Sequence, residues 1–198
     1  MIRYAIFFIW ITFFFGSHVT AAGQPERNID VIYSLLDESV DMILKSTNDV
    51  KELLFEYNSP VRFKRFENRI IYKLRENGID IFENKFSETK LNYVLDDVSV
   101  SYSDAFRESF FGNYKTERKV KIAGSFILYE NGKVSVSEYF NLFTSDTLDY
   151  ESVPDFNNGF AEGTQKPEVP FFGSLLEPVI ALGAVAVAIF LFFTVRSN

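Results

Sequence analysis

Residues 118–143 read "RKVKIAGSFILYENGKVSVSEYFNLF", and this stretch decides the fold. Val120, Ile122, Phe126 and Leu128 recur at even spacing, and so do Val134, Val136, Phe140 and Leu142. A strand sends successive side chains to opposite faces, so this alternation is the mark of a half-buried strand on each flank. Asn131-Gly132 lies between the flanks. That dipeptide tolerates the positive φ angles of a two-residue type I′ turn. The stretch predicts one long β-hairpin.

Working upstream, "LNYVLDDVSVSY" (91–102) predicts another strand, with Val98, Val100 and Tyr102 alternating. "VKELLFEY" (50–57) and "IDIFE" (79–83) are short apolar runs that read as strands. Between them, "NSPVRFKRFENRIIYKLRENG" (58–78) carries helix punctuation: Ser59 as cap, Pro60 in the first turn, Gly78 after the last. Phe63, Phe66, Ile70 and Leu74 form its apolar stripe. Ile29, Ile32, Leu36, Val40 and Ile43 define an earlier amphipathic helix, with Asn28 as N-cap. No proline falls between Val61 and Val153. The expected fold is α+β, with two helices packed on one face of a mainly antiparallel sheet.

The two ends differ in kind. "MIRYAIFFIWITFFFGSHVTAAGQ" has a positive start at Arg3, a short apolar core and small residues at Val19 and Ala21, the layout of a secretory signal peptide over 1–22. An uncleaved anchor is the alternative. From Pro178 to Val195 no residue is charged. That length matches the hydrocarbon layer, so a transmembrane helix is expected over 174–195, in contact with membrane lipid. Arg196 beyond it points the three-residue tail, 196–198, to the cytoplasm. The domain over 23–150 is then extracytoplasmic, joined to the span by a Gly-, Pro- and Asn-rich linker over 151–173.

Composition excludes several chemistries. The chain has no cysteine, so it has neither disulfides nor thiolate sites, which suits a bacterial envelope better than an animal cell surface. Its one histidine, His18, lies in the signal segment. Histidine-dependent nucleophilic sites and histidine-ligated metals are therefore not expected in the exported domain, nor is any other cofactor. Eighteen basic and 26 acidic residues lie over 23–173. An acidic surface is a poor match for nucleic acid.

Two candidate surfaces stand out. "SDAFRESFFGNYKTERK" (103–119) sets Phe106, Phe110, Phe111 and Tyr114 beside Arg107, Lys115 and Arg118. Aromatic residues with arginine are the usual content of binding hot spots, so Phe106, Arg107, Phe110, Phe111, Tyr114 and Arg118 are candidate partner-binding residues. The alternative is that the aromatics close one end of the core. In the span, Ala181, Ala184 and Ala188 lie on one helical face and could let two spans approach closely, giving a homodimer. Arg62, Arg65 and Arg69 share a side of their helix, read as a solvated face or an anionic contact. Adjacent Asp96 and Asp97 are read as a strand end or bulge rather than a catalytic pair, since neighbours on a strand point apart.

A strand, a helix ending "KLRENG", the strand "IDIFE" and then "LNYVLDDVSV" before a long hairpin resemble the periplasmic α/β domain of curli-secretion-type proteins and of outer-membrane activators of penicillin-binding proteins. Leu74 to Gly78 and Tyr93 to Leu95 carry the resemblance. It implies a non-catalytic adaptor in envelope assembly. The chain departs from that group in having no cysteine to lipidate. The function expected is that of a membrane-anchored interaction domain with an envelope protein as partner and no enzymatic activity. An accessory transporter subunit, or an enzyme using carboxylates on an envelope polymer, is the alternative.

Overall fold

The computed structural model describes residues 25–47, 50–82, 87–109, 112–153, 168 and 171–196, with side chains in the last helix described over 178–194. Its elements are α1 (Asn28–Ser46), β1 (Glu52–Tyr57), a 3-10 helix (Val61–Phe66) running into α2 (Glu67–Glu76), β2 (Asp80–Phe82), β3 (Thr89–Tyr102), β4 (Lys115–Glu130), β5 (Lys133–Asp149), a 3-10 turn (Tyr150–Ser152) and α3 (Phe171–Arg196). The strands form one sheet in the order β2-β1-β3-β4-β5. The ladders β3–β4 and β4–β5 are antiparallel and long, whereas β1 pairs with β2 and with β3 in parallel over a few residues. The domain is α+β as expected, and the short parallel part is an addition to that expectation.

One sheet face is covered. Ile32, Leu36, Val40 and Ile43 of α1 and Ile70 and Leu74 of α2 form a single buried cluster with Leu53, Leu91, Tyr93, Leu95, Ile122, Phe126 and Leu128 of the sheet. Phe63 and Phe66 are also buried, and their spacing of three suits the 3-10 period that carries them. Arg69 grips the carboxylate of Asp37 and locks α2 to α1, so this arginine of the Arg62–Arg65–Arg69 row serves packing between the helices.

The helix ends settle differently from their sequence cues. Asn28 is the first residue of α1 rather than its cap, and its side chain is buried. The cap is Arg27, whose carbonyl accepts from the Asp30 and Val31 amides. Ser59 does not cap the next helix, where Pro60 takes that place; its hydroxyl oxygen accepts the Leu95 amide at 2.7 Å. The end of α2 follows its cue. Gly78 has φ +82°, its amide donates to Arg75 O, and the Ile79 amide donates to Leu74 O, the paired bonds of a Schellman stop.

Asn131 and Gly132 have φ of 52° and 76°, as a type I′ turn requires. A two-residue turn pairs even positions of one strand with odd positions of the other, as in Tyr129 with Val134 and Glu130 with Lys133. The apolar residues, however, are even on both flanks. A β-bulge resolves the conflict: Leu128 pairs with Val136, leaving Ser135 as an extra residue in β5. Beyond it Phe140 and Leu142 face the helices. Val134, before it, stays on the open face and is 58% exposed, so it is the one member of the alternating set that does not point to the core.

A second bulge lies between Leu95 and Asp97 in β3, confirming the bulge reading of that acidic pair. Gly124 of β4 sits opposite Leu95 on one side and Phe140 on the other. A Cβ at Gly124 would run into the Val94 carbonyl oxygen and come within 2.6 Å of the Phe140 ring. The empty space there lets Phe140 lie across the strand and pack on Tyr93, ring centres 5.5 Å apart. Gly124→Ala should therefore destabilise the domain by about 3 kcal/mol, since backbone on one side and a buried ring on the other leave no room to relax. Urea unfolding of the full chain in detergent would read this as a lower midpoint.

Tyr93 is fully buried, and its hydroxyl meets that of Ser39 at 2.8 Å. Ser39 already donates to Leu36 O, so Tyr93 is the donor in this pair. Burial raises the Tyr93 phenol above its ordinary value of 10.0 and pushes that of Tyr57, stacked on it, up to about 12. The unfolded chain releases these protons first, so it binds fewer protons than the folded chain above pH 10. Stability should be flat with respect to these groups below about pH 10 and decline as pH rises toward 12 and beyond. Tyr93→Phe should flatten that decline, as checked by thermal unfolding across the alkaline range.

Candidate functional site

The connection from β3 to β4 is the sequence's main candidate surface. Phe106 forms an antiparallel bridge with Lys115, each amide donating to the other's carbonyl at 2.8 Å. This folds the connection back along the start of β4. Arg107 lies with its guanidinium 3.9 Å from the centre of the Tyr114 ring, a close cation–π contact. Tyr114 meets Tyr150 edge to face at 6.4 Å. Lys115 pairs with Glu108 at 2.8 Å. Thr116 is buried and donates to Ser103 O, and the Glu117 amide donates to the Ser103 hydroxyl. The backbone oxygen of Glu168, three residues before α3, accepts the Ala105 amide at 3.4 Å.

Among the described residues of this cluster, Arg107 and Tyr114 are half-buried. Arg107, Tyr114 and Tyr150 pack on one another and close the end of the sheet, the alternative that the sequence left open. Among the described residues of the cluster, Phe106 faces solvent, 40% exposed. Phe110 and Phe111 lie outside the described residues. The Tyr114 hydroxyl is buried without a hydrogen-bond partner among the described residues.

Arg118 is a correction. As a candidate hot spot it would need to be at the surface, but it is 1% exposed, on the covered face of β4. It sits two residues before Val120 on the same side of the strand, so the pleat carries it inward. Asp146, directly opposite on β5, accepts from its Nε and Nη2 in a bidentate pair. Its Nη1 donates to Glu26 O and to Asn28 Oδ1, both at 2.8 Å. Asn28 in turn donates to the Tyr102 hydroxyl at 2.8 Å. One guanidinium thus joins the start of α1 to the hairpin. Sequence reading missed this role because an intact two-residue register would set Ser145, not Asp146, opposite Arg118.

Beside this group lies a cleft of about 340 Å³, lined by Glu26, Ser34, Glu38, Arg118 and Asp146 among others. Of its carboxylates, that of Asp146 is held by Arg118. Among the described residues no group of three or more metal-ligating side chains converges. The other face of the sheet carries Tyr139, 84% exposed, and Phe143, 60% exposed, with the Lys119 ammonium 4.6 Å from the Phe143 ring centre.

α3 is continuous over 26 residues and contains Pro178. Ala181, Ala184 and Ala188 are exposed on it. Among the described residues no helix is long and apolar enough to cross a membrane. The signal segment lies outside the described residues.

No family model and no curated protein matches the chain. Among solved structures it is similar to a minor lipoprotein from Acinetobacter baumannii, with a TM-score of 0.36 at 12% identity, covering 53% of this chain and 70% of that one. It is also similar to the rare lipoprotein B from Shewanella oneidensis, with a TM-score of 0.35 at 14% identity, covering 73% and 94%. Both of those proteins are named as lipoproteins. Neither is named as a curli-secretion-type protein or a penicillin-binding-protein activator. Likeness of this degree says nothing about activity.

Arg118→Lys should lower stability by about 2 kcal/mol, because an ammonium cannot serve the carboxylate, the amide oxygen and the carbonyl together as the planar fork does. Urea unfolding of the full chain in detergent measures it. A stability close to the parent's would mean that the network contributes little.

Proposed function

We propose that the chain is a single-span protein of the bacterial envelope whose α+β domain docks a partner protein outside the cytoplasm and catalyses no reaction. The observation that carries this reading is the run from Pro178 to Val195, which holds no charged residue. As a helix that uncharged run would rise about 27 Å, near the thickness of the hydrocarbon layer. An anchor of this kind also suits a chain with no cysteine to lipidate. Glu168 rests against Ala105, so the domain sits close to the start of the helix. Phe106 and the open sheet face, with Tyr139 and Phe143, are exposed surfaces that support docking of a partner, and the acidic balance of the domain disfavours nucleic acid and anionic lipid. Packing of Ala181, Ala184 and Ala188 against a second span belongs to the same reading.

Carbonate extraction of membranes carrying the full chain tests the anchor. The parent should stay in the membrane pellet. The double variant Ala184→Arg with Ala188→Arg should be released, since each arginine near the middle of a span costs about 3 kcal/mol of insertion. Release of the parent itself would end the single-span reading.

A further inference from the structure

The two edges of the sheet are unlike. One is β2, three residues long, too short to template another chain. The other is β5, 17 residues long, with neither proline nor glycine, and among the described residues no strand pairs with its far side. Alternate residues of such an edge present backbone N–H and C=O groups outward.

We propose that this edge is a self-complementary interface on which a second copy of the chain pairs, antiparallel, about a twofold axis through Asn141. The sequence of β5 past its bulge reads nearly the same from either end. With Asn141 on the axis, Phe140 falls opposite Leu142, Tyr139 opposite Phe143, Glu138 opposite Thr144, Ser137 opposite Ser145 and Val136 opposite Asp146. Apolar residues meet apolar residues next to the axis, and no like charges oppose. The neighbouring registers fail. An axis through Phe140 would set Ser137 against Phe143 and Glu138 against Leu142. An axis through Leu142 would set Glu138 against Asp146, and like charges directly opposite are destabilising. A twofold pairing repeats each contact, so Tyr139 and Phe143 of both copies would form one aromatic group on the open face. These are among the most exposed large apolar residues of the domain. The bulge at Ser135 bends the strand beyond Val136 and limits the ladder to the part that is complementary. This contact is separate from the alanine row of α3 and does not depend on how α3 meets a membrane.

The absence of cysteine allows single-cysteine variants of the full chain, purified in detergent and oxidised mildly. Asn141 and Ser137 are both exposed on β5, so replacing either leaves the core intact. On the axis, Asn141→Cys meets its own copy at a Cβ separation of about 5 Å, within disulfide reach once the pair adjusts. Ser137→Cys lies eight strand positions from its own copy, about 26 Å. We expect Asn141→Cys to lose its monomer band and Ser137→Cys to keep it. Crosslinking of both to a similar extent, or of neither, would overturn the pairing.

Discussion

The single extra residue at Ser135 governs the hairpin, and through it the core. A strand's side chains have a period of two, so a one-residue change of register moves every side chain to the opposite face. Downstream of Ser135 the bulge turns Phe140 toward Gly124 and Tyr93, and sets Asp146 beside Arg118. Without it the tight Asn-Gly turn would direct those two residues to the open face, leaving a void over Gly124 and a buried guanidinium without its carboxylate. The turn fixes one register, the hydrophobic pattern demands another, and the bulge is where both are met.

Arg118 and Tyr93 show how polar groups are carried into this core. Each is placed inside by strand parity, and each finds partners from an element far along the chain. Arg118 takes Asp146 from the neighbouring strand and two acceptors from the start of α1. Tyr93 takes Ser39 from the middle of α1, and that serine donates its own hydrogen bond to the Leu36 carbonyl of the helix backbone. Both contacts fix α1 in position along the sheet. Apolar packing alone would define its face but would resist sliding less.

Local elements were legible because their signals are local. The stripes of both helices, the Gly78 stop and the Asn-Gly turn are read from spacing and from backbone freedom at single residues. The cap assignments at Asn28 and Ser59 failed for a shared reason. Both residues are good caps in isolation, and both were recruited by distant partners, Arg118 and Tyr102 for one and the Leu95 amide for the other. The connection from β3 to β4 was half legible. Aromatic and cationic residues stand out there in the sequence, but whether such residues face solvent or one another depends on pairing that composition does not encode. The bulge was within reach of the sequence, since even-numbered apolar residues on both sides of a two-residue turn require one. The parallel pairing of β1 with β2 and β3 leaves no such mark.

The bonds from Arg118 to Glu26 and Asn28 span 92 and 90 residues. A chain delivered amino end first therefore presents the α1 segment long before the hairpin that covers it exists. Ile32, Leu36, Val40 and Ile43 have no sheet to pack on until β3, β4 and β5 have all emerged. Closure of the domain is thus a late event dominated by long-range contacts, which are slow to form. During that interval the greasy stripe of the first helix is open to whatever holds unfolded chains at the exit. A holding factor that recognises short apolar helical segments would meet its best target at the start of this domain and lose it only when Asp146 arrives.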